Sequence, residues 1–598
     1  MTLNFSRTPA QALALAAALI AALSVVGCSD SSSSSVDTPQ TTSIAVRLID
    51  ENGVAISGAV VVAPTGPSAS AVTNADGTAG GSITTSASKA TFGTTTTPTA
   101  DAPLDVTFTA TATGYLRGSA RAVLPTPSTA QLDIVLAAVP TDACATPSGA
   151  LAVKFHNKSG VDPKLVSVGF VAGLPPPGKP ATAFNVVNRQ DGTALARLNT
   201  DKGPGNWYSL DKLPCGVALG SFSGRIYVAY GTPWTVESAN YEPGQAVTDP
   251  NFFLRYDKME ITYTGDPADV ANLTSIDYWS IPLTLNTLLK SKPAETVQGL
   301  LPGVTAQYVF DALQVLTPVS GLPSIGGVDG DAIPAVVPGK FAQYPGGPAP
   351  GTTFARIIGP SSYPPIGARP VPPYDIFKSY LTNLYTLFGS KTAVGAVVPT
   401  LGGGTIATIA GNFGGVGNPV PATGPQSRQT YSLAASIDAN LDITVTGTVG
   451  SASGTTTMVY KFADLSNPTG IYGGNAPYYL NGASVSTNPG NDVYGWIGGD
   501  LFSGLNIGAL GSTTKSGATM VGQLQSSDWF KVPTSLFFGK LQPTGKYYNQ
   551  WAATLAGLSQ AYNFAYSDRF APVFVSLNPA TVDTLVVTLE PATIDMSK

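Results

Sequence analysis

The chain has 598 residues, enough for several cores or for a few large all-β units. Only 11% of its residues are charged and the net charge is −5, so it offers no basic stripe to track phosphates, which excludes nucleic acid as an expected partner. The 65 glycines and 49 prolines point to many strands and turns, not to a helical bundle.

The histidine and cysteine inventory narrows the chemistry further. There is one histidine, His156, and three cysteines, Cys28, Cys144 and Cys215. A nucleophilic triad would have to use His156, which lies on an early strand, LAVKFHN, with no G-x-S-x-G motif to partner it. A zinc site built from His and Cys is short of ligands. Catalysis, if present, rests on carboxylates.

Residues 1–28 read as an export signal: Arg7 supplies positive charge and Ala10 to Val26 form the apolar run. The run ends in LSVVGC, which resembles a bacterial lipobox, so Cys28 is the expected lipidated amino terminus. Serine after that cysteine resembles the outer-membrane sorting case. The expected partner at this end is therefore the membrane, reached through a lipid, and residues 29–42 are a Ser-rich tether. With Cys28 so used, Cys144 and Cys215 remain as an even pair in an exported chain, and a disulfide between them is predicted.

Residues 43–138 read as a first β domain. SIAVRLID alternates apolar residues inward, Glu51-Asn52-Gly53 turns the chain, and AISGAVVVA, VTFTATATGY and QLDIVLAAV continue the pattern. Its D-E-N-G, S-G-A-V, N-A-D-G-T and A-T-G-Y rhythm resembles the immunoglobulin-like modules related to the carboxypeptidase regulatory domain. Such modules are usually spacers. Residues 139–148 read as a linker, and residues 149–595 show no further break of that kind.

The second unit is organised around residues 251–285, NFFLRYDKMEITYTGDPADVANLTSIDYWSIPLTL. Two β-rich runs flank a turn-forming segment, which predicts a hairpin. On the first run Tyr256, Lys258, Glu260 and Thr262 share a face by strand alternation, and on the second Ser275, Asp277 and Trp279 do. A hairpin would then present Glu260 and Asp277 together, with Trp279 as a platform for a sugar ring. Paired carboxyls beside aromatic groups are what a glycoside hydrolase needs. Asp257 faces the other way, Asp266 and Asp269 read as turn formers, and Glu237 and Glu242 lie in an upstream loop within reach of substrate.

SGRIY at residues 223–227, Glu242-Pro243, Asp249-Pro250-Asn251, YDKMEIT and SIDYWSIPL together resemble the β-1,3-glucanases of glycoside hydrolase family 64, relatives of the thaumatin-like proteins. The resemblance continues more loosely through ARIIGPSSY and the helical pattern PYDIFKSYLTNLYTLFG. It implies a mainly β protein: after the immunoglobulin-like sandwich, a thaumatin-like β-barrel lobe joined to a smaller mixed α/β lobe, with a wide groove between. It also implies endo-acting, inverting hydrolysis of β-1,3-glucan. The family's catalytic pair falls on Glu260 and Asp277, and its threonine on Thr262. On that analogy Glu260 is the acid, among Met259, Ile261 and Tyr256, and Asp277 the base.

Two elements fit the family less directly. Residues 399–500 are Gly-rich and would include an insertion over the groove, although DITVTGTVG and TTTMVYKFADL read as strands. The alternative function is a non-catalytic glucan-binding or surface-interaction lipoprotein on the same fold. Helical spacing of Phe377, Tyr380, Leu381, Leu384 and Phe388, and of Trp551, Leu555 and Leu558, marks core faces.

Overall fold

A computed structural model describes residues 42–57, 59–62, 70–72, 83–85, 104–124, 130–172, 184–197, 206–231, 251, 254–316, 336–339, 353–362, 376–389, 404–413, 430–450, 454–467, 469–485, 492–570 and 573–595. Cys28, with the export signal and the tether, therefore lies outside the described residues, as do Glu237 and Glu242.

The first unit consists of two small sheets around one core. Strand Thr42–Asp50 pairs in parallel with Ala130–Leu136 and antiparallel with Ile83–Thr85. The second sheet runs Ser70–Val72, Val60–Val62, Leu104–Thr111, Gly118–Leu124. Period-two alternation turns Val46, Leu48, Val61, Phe108, Ile134 and Leu136 inward, where they form the shared core. The turn at residues 51–53 forms because Asp50 Oδ1 accepts the N–H groups of Asn52 and Val54, each at 2.8 Å.

This unit is seated on the next. Leu116 and Val139 pack against Leu288 and Val586. Gly114 donates its N–H to the Ser291 carbonyl at 3.1 Å, and Glu51 pairs with Lys158 at 2.8 Å. The stretch read as a linker is pinned. Cys144 and Cys215 form the predicted disulfide across 71 residues, with Cα atoms 6.1 Å apart. Loop closure of that length constrains the unfolded chain by about 4 kcal/mol in the chain-entropy model. Asp142, two residues before Cys144, holds Lys154 at 2.8 Å and Arg189 at 3.0 Å.

The second unit begins with a sheet of 11 strands that is nearly closed into a barrel. Its path runs Lys292–Gln298, Leu283–Leu289, Thr584–Leu589, Leu151–Asn157, Val217–Tyr230, Arg255–Tyr263, Val270–Leu273, Phe574–Ser576. The two ends meet where Ser576 donates its N–H to Glu295 Oε2 at 2.6 Å. The last strand, Thr584–Leu589, pairs in parallel with the first, Leu151–Asn157, in the middle of the sheet. Inward residues such as Phe170, Phe222, Ile226, Met259, Ile261 and Val587 fill it. Gly216, at φ 69°, lets the long Val217–Tyr230 strand start against its neighbour, where a Cβ would stand 2.0 Å from the Val153 carbonyl oxygen.

The other lobe is a six-stranded antiparallel meander, from Thr405–Asn412 to Ala483–Val485, packed on helices. Helix Ile376–Phe388 falls within the predicted stretch, and Phe377, Tyr380, Leu381, Leu384 and Phe388 are all buried. Helix Gln550–Ala556 likewise buries Trp551 and Leu555. In the Gly-rich region the strands Ile443–Val449 and Thr456–Tyr460 fall on the predicted ones, and with Leu433 they bury Val445, Met458 and Tyr460 in the lobe's core, beside Ile497 and Leu501 of helix Val493–Ile507.

Candidate active site

The site lies on the outward face of the barrel, on two long strands. Register sets Arg225 of Val217–Tyr230 opposite Glu260 of Arg255–Tyr263, Tyr227 opposite Lys258, and Ser223 opposite Thr262. Because Met259 and Ile261 enter the barrel core, their neighbours Lys258, Glu260 and Thr262 must leave it. Glu260 is therefore not in the apolar pocket expected for it. Its neighbours in the ladder are Arg225, whose Nε stands 3.4 Å from Oε1, and Asn272. Thr262 Oγ1 meets Ser223 Oγ at 3.0 Å in the adjoining row.

The hairpin is real but closes earlier than the sequence suggests. Arg255–Tyr263 pairs with Val270–Leu273, and the turn is tied by Asp269, whose Oδ2 accepts the N–H groups of Thr264, Gly265 and Asp266 at 2.6, 2.9 and 3.0 Å. Ser275 has already left this ladder, with its N–H on the Tyr562 carbonyl at 2.7 Å. Tyr278–Trp279 then joins a different sheet, pairing with Thr353–Ile358. Asp277 thus sits on a bend between two sheets and shares no strand face with Trp279. Trp279 is 2% exposed and packs on Phe354 at 5.7 Å, so its expected role as a sugar platform is corrected to a core role.

A lysine links Asp277 to the strand that carries Glu260. Lys258, 2% exposed, extends its Nζ to Asp277 Oδ2 at 2.7 Å and lies 5.2 Å over the Tyr278 ring. The bend itself is held from the other sheet: Gly359 donates to the Asp277 carbonyl at 2.7 Å, and Ser361 Oγ reaches the Ile276 carbonyl at 2.7 Å and Asp277 Oδ1 at 3.3 Å. Two buried arginines fasten the same junction. Arg356 donates to the Leu254 carbonyl at 3.0 Å, and Arg255 to those of Ala592 and Ser280 at 2.7 and 3.2 Å.

Burial pushes the Asp277 carboxyl up, but the charges of Lys258 and Arg225 and the Ser362 hydroxyl outweigh it and hold the group below the usual carboxylate range. The side chain keeps 37% exposure, enough to meet a water, while that of Glu260 keeps 24%. Asp257, on the far side of the strand as expected, is pushed up to about 7 by burial, against the N–H groups of Lys258, Ile281 and Ser280. It ties the chain after Trp279 to the barrel and takes no part in the site.

Lys258 and Arg225 are the site residues that sequence reasoning passed over. The signal was present: Lys258 stands two residues before Glu260 on the same strand face, and Arg225 lies within SGRIY. His156 lies elsewhere, its Nε2 4.0 Å from Glu51 of the first unit. Among the described residues, the side chains crowded closely enough to share a cation are those of Asp142, Cys144 and Cys215, and both sulfurs are spent in the disulfide.

No curated protein matches the chain. Among solved structures, it is similar to a beta-1,3-glucanase domain from Clostridium beijerinckii, with 13% identity over 75% of this chain and 100% of that one and a TM-score of 0.41. It is similar also to a laminaripentaose-producing beta-1,3-glucanase in complex with laminaritetraose, with 15% identity over 74% and 99% of the two chains and a TM-score of 0.40. A family 64 laminaripentaose-producing beta-1,3-glucanase from Paenibacillus barengoltzii shows 13% identity over 92% and 100%, with a TM-score of 0.38. Residues 211–321, which hold Arg225, Lys258, Glu260, Thr262 and Asp277, match the glycoside hydrolase family 64 model, described as beta-1,3-glucanase.

Proposed function

We propose that the protein hydrolyses internal bonds of β-1,3-glucan with inversion, using Glu260 as the acid and Asp277 as the base. The observation that carries the reading is that the family 64 match spans both carboxyls, and that both stand partly exposed on one outward ledge. In an inverting step a water oxygen attacks the anomeric carbon from the face opposite the leaving oxygen. Asp277, held ionised, takes the proton of that water, and Glu260 gives its own proton to the glycosidic oxygen as the C–O bond breaks. The acid ends ionised and the base protonated, and exchange with solvent restores both. Arg225 stands beside the acid, its Nε 3.4 Å from Glu260 Oε1. Thr262, beside Glu260, supplies a hydroxyl for a sugar ring, and Glu242 is kept as a second substrate contact on the sequence alone. The pair needs no cofactor.

A second reading has an observation of its own. Both carboxyls are engaged by cations, Glu260 by Arg225 and Asp277 by Lys258, as they would be in a surface that binds glucan without cutting it. Incubating the full chain with linear β-1,3-glucan separates the two: release of oligosaccharides supports hydrolysis, and retention on the polymer without release supports the binding protein.

We further propose that Cys28 carries a lipid that anchors the chain to the outer membrane, with the immunoglobulin-like unit as the spacer, a reading that rests on the sequence of residues 1–42. Palmitate labelling of the exported protein is expected and should vanish in Cys28→Ala. Labelling that persists in the variant would contradict the anchor.

A further inference from the structure

We propose that Lys258 is a positioning residue for the hydrolytic pair, coupling the carboxyl of Asp277 to the strand that carries Glu260. The proposal rests on the β-1,3-glucanase reading and concerns how its two carboxyls keep their relation to one another.

The need for such a coupling follows from the fold. Glu260 belongs to the barrel ladder, where Arg225 and Asn272 fix its height. Asp277 belongs to a bend outside that ladder, with its backbone held by Gly359, just after strand Thr353–Ile358 of the neighbouring sheet. No strand register relates the two groups, so a shift between barrel and second lobe would change their spacing. A misplacement of about 1 Å can cost on the order of 10²-fold in rate. Lys258 crosses that seam. It is two residues from Glu260 on the same face, about 7 Å along the strand, and its Nζ contacts Asp277 Oδ2 at 2.7 Å.

The lysine is also an expensive choice for this position. At 2% exposure its ammonium is almost fully removed from water, and a buried ion pair is often no more stabilising than apolar side chains of the same volume. Its value lies in direction and charge. The Tyr278 ring, 5.2 Å away, faces the same ammonium and limits where it can swing.

The charged and titratable groups that act on Asp277 among the described residues make the electrical effect explicit. Lys258 comes from the strand that carries Glu260, Arg225 from the next, and the hydroxyls of Ser361 and Ser362 from the turn after Thr353–Ile358. Lys258 is the cation in direct contact, with Arg225 acting from farther away. Deleting Lys258 leaves Asp277 with a more distant cation, Arg225. The base then protonates at higher pH, and activity that needs it ionised fails earlier as pH falls.

The experiment follows kcat and KM on linear β-1,3-glucan from about pH 3 to pH 8 for the full chain, Lys258→Met, Lys258→Arg and Asp277→Asn, with circular dichroism confirming the fold of each. Lys258→Met is expected to lower kcat by about 10- to 100-fold, with KM changed far less. Its acid limb should rise by about 1–3 pH units. Lys258→Arg keeps the charge, so its acid limb should stay near the parent's while kcat falls because the planar fork holds Asp277 differently. Should Lys258→Met fail to fold, the arginine variant decides: a displaced acid limb there overturns the electrostatic part, and an unchanged kcat overturns the positioning part. An acid limb and kcat in Lys258→Met equal to the parent's, with Asp277→Asn inactive, overturns the proposal and leaves the glucanase reading standing. Absence of hydrolysis by the parent, or full activity in Asp277→Asn, overturns both.

Discussion

Glu260→Gln is expected to lower the rate of β-1,3-glucan hydrolysis by about 10²- to 10⁴-fold, the usual contribution of a positioned general acid. The amide has the shape of the acid but no proton to give the leaving oxygen, so the loss should fall on kcat with substrate binding largely kept. Stability should hardly change. The side chain is 24% exposed, and Arg225 Nε stands 3.4 Å from its Oε1, the kind of partly solvated pair worth about 1 kcal/mol or less. The measurement is reducing-end release alongside thermal unfolding. An unfolded variant would say nothing of catalysis, but a folded variant that retains the parent's rate would remove Glu260 from the mechanism. A leaving group that departs without help from an acid, such as an activated aryl glycoside, should be cleaved by the variant with a smaller deficit than the polymer.

The largest expected effect on stability lies far from the ledge, at Arg569. Its guanidinium pairs with Asp500, which is fully buried, and stacks 4.0 Å over Trp496 and 4.7 Å over Tyr566. The second oxygen of Asp500 accepts the hydroxyls of Tyr431 and Ser526 at 2.7 and 2.6 Å, which ties the meander, helix Val493–Ile507 and the chain after it into one knot. Arg569→Met keeps apolar bulk against the aromatic rings but leaves a buried carboxylate without its cation. Breaking such a pair costs about 3–5 kcal/mol, to be read from urea unfolding of parent and variant.

The pH dependence of that loss has a definite sign. Burial already pushes the Asp500 carboxyl up in the parent, against the opposing pull of Arg569. Without the arginine it rises further, and a carboxyl raised in the folded state costs stability as pH climbs through its folded value. The deficit of Arg569→Met should therefore be largest near neutrality and shrink toward pH 4. A loss under about 1 kcal/mol at pH 7, below the range for a broken buried pair, would show that the knot is not needed.

How far the sequence could be read depends on where its periodicity holds. YDKMEITY alternates between barrel core and ledge along its whole length, and this is why Glu260 and Thr262 could be put on one face with no structure in hand. The cysteine pairing followed from parity, and helix Ile376–Phe388 from its buried stripe. The reading failed where the chain bends. Counting twos from Asp277 to Trp279 presumes one straight strand, but residues 274–277 turn between sheets, so alternation carries no information across them. The tie from Lys258 to Asp277 joins two sheets and leaves no spacing in the sequence to detect. Within the Gly-rich region the alternation of DITVTGTVG marks a strand, and close approach accounts for its glycine: a Cβ on Gly447 would stand 2.2 Å from the Ser432 carbonyl oxygen.

The central claim is that Asp277 and Glu260 act from opposite sides of a scissile β-1,3 bond, and stereochemistry tests it most directly. Proton NMR of the first minutes of linear β-1,3-glucan hydrolysis distinguishes the anomers of the new reducing ends before they equilibrate. The account predicts that the α anomer appears first and then drifts to the equilibrium mixture. New reducing ends formed as the β anomer would mean retention, a covalent intermediate and a closer carboxyl pair than this mechanism uses, and would contradict it.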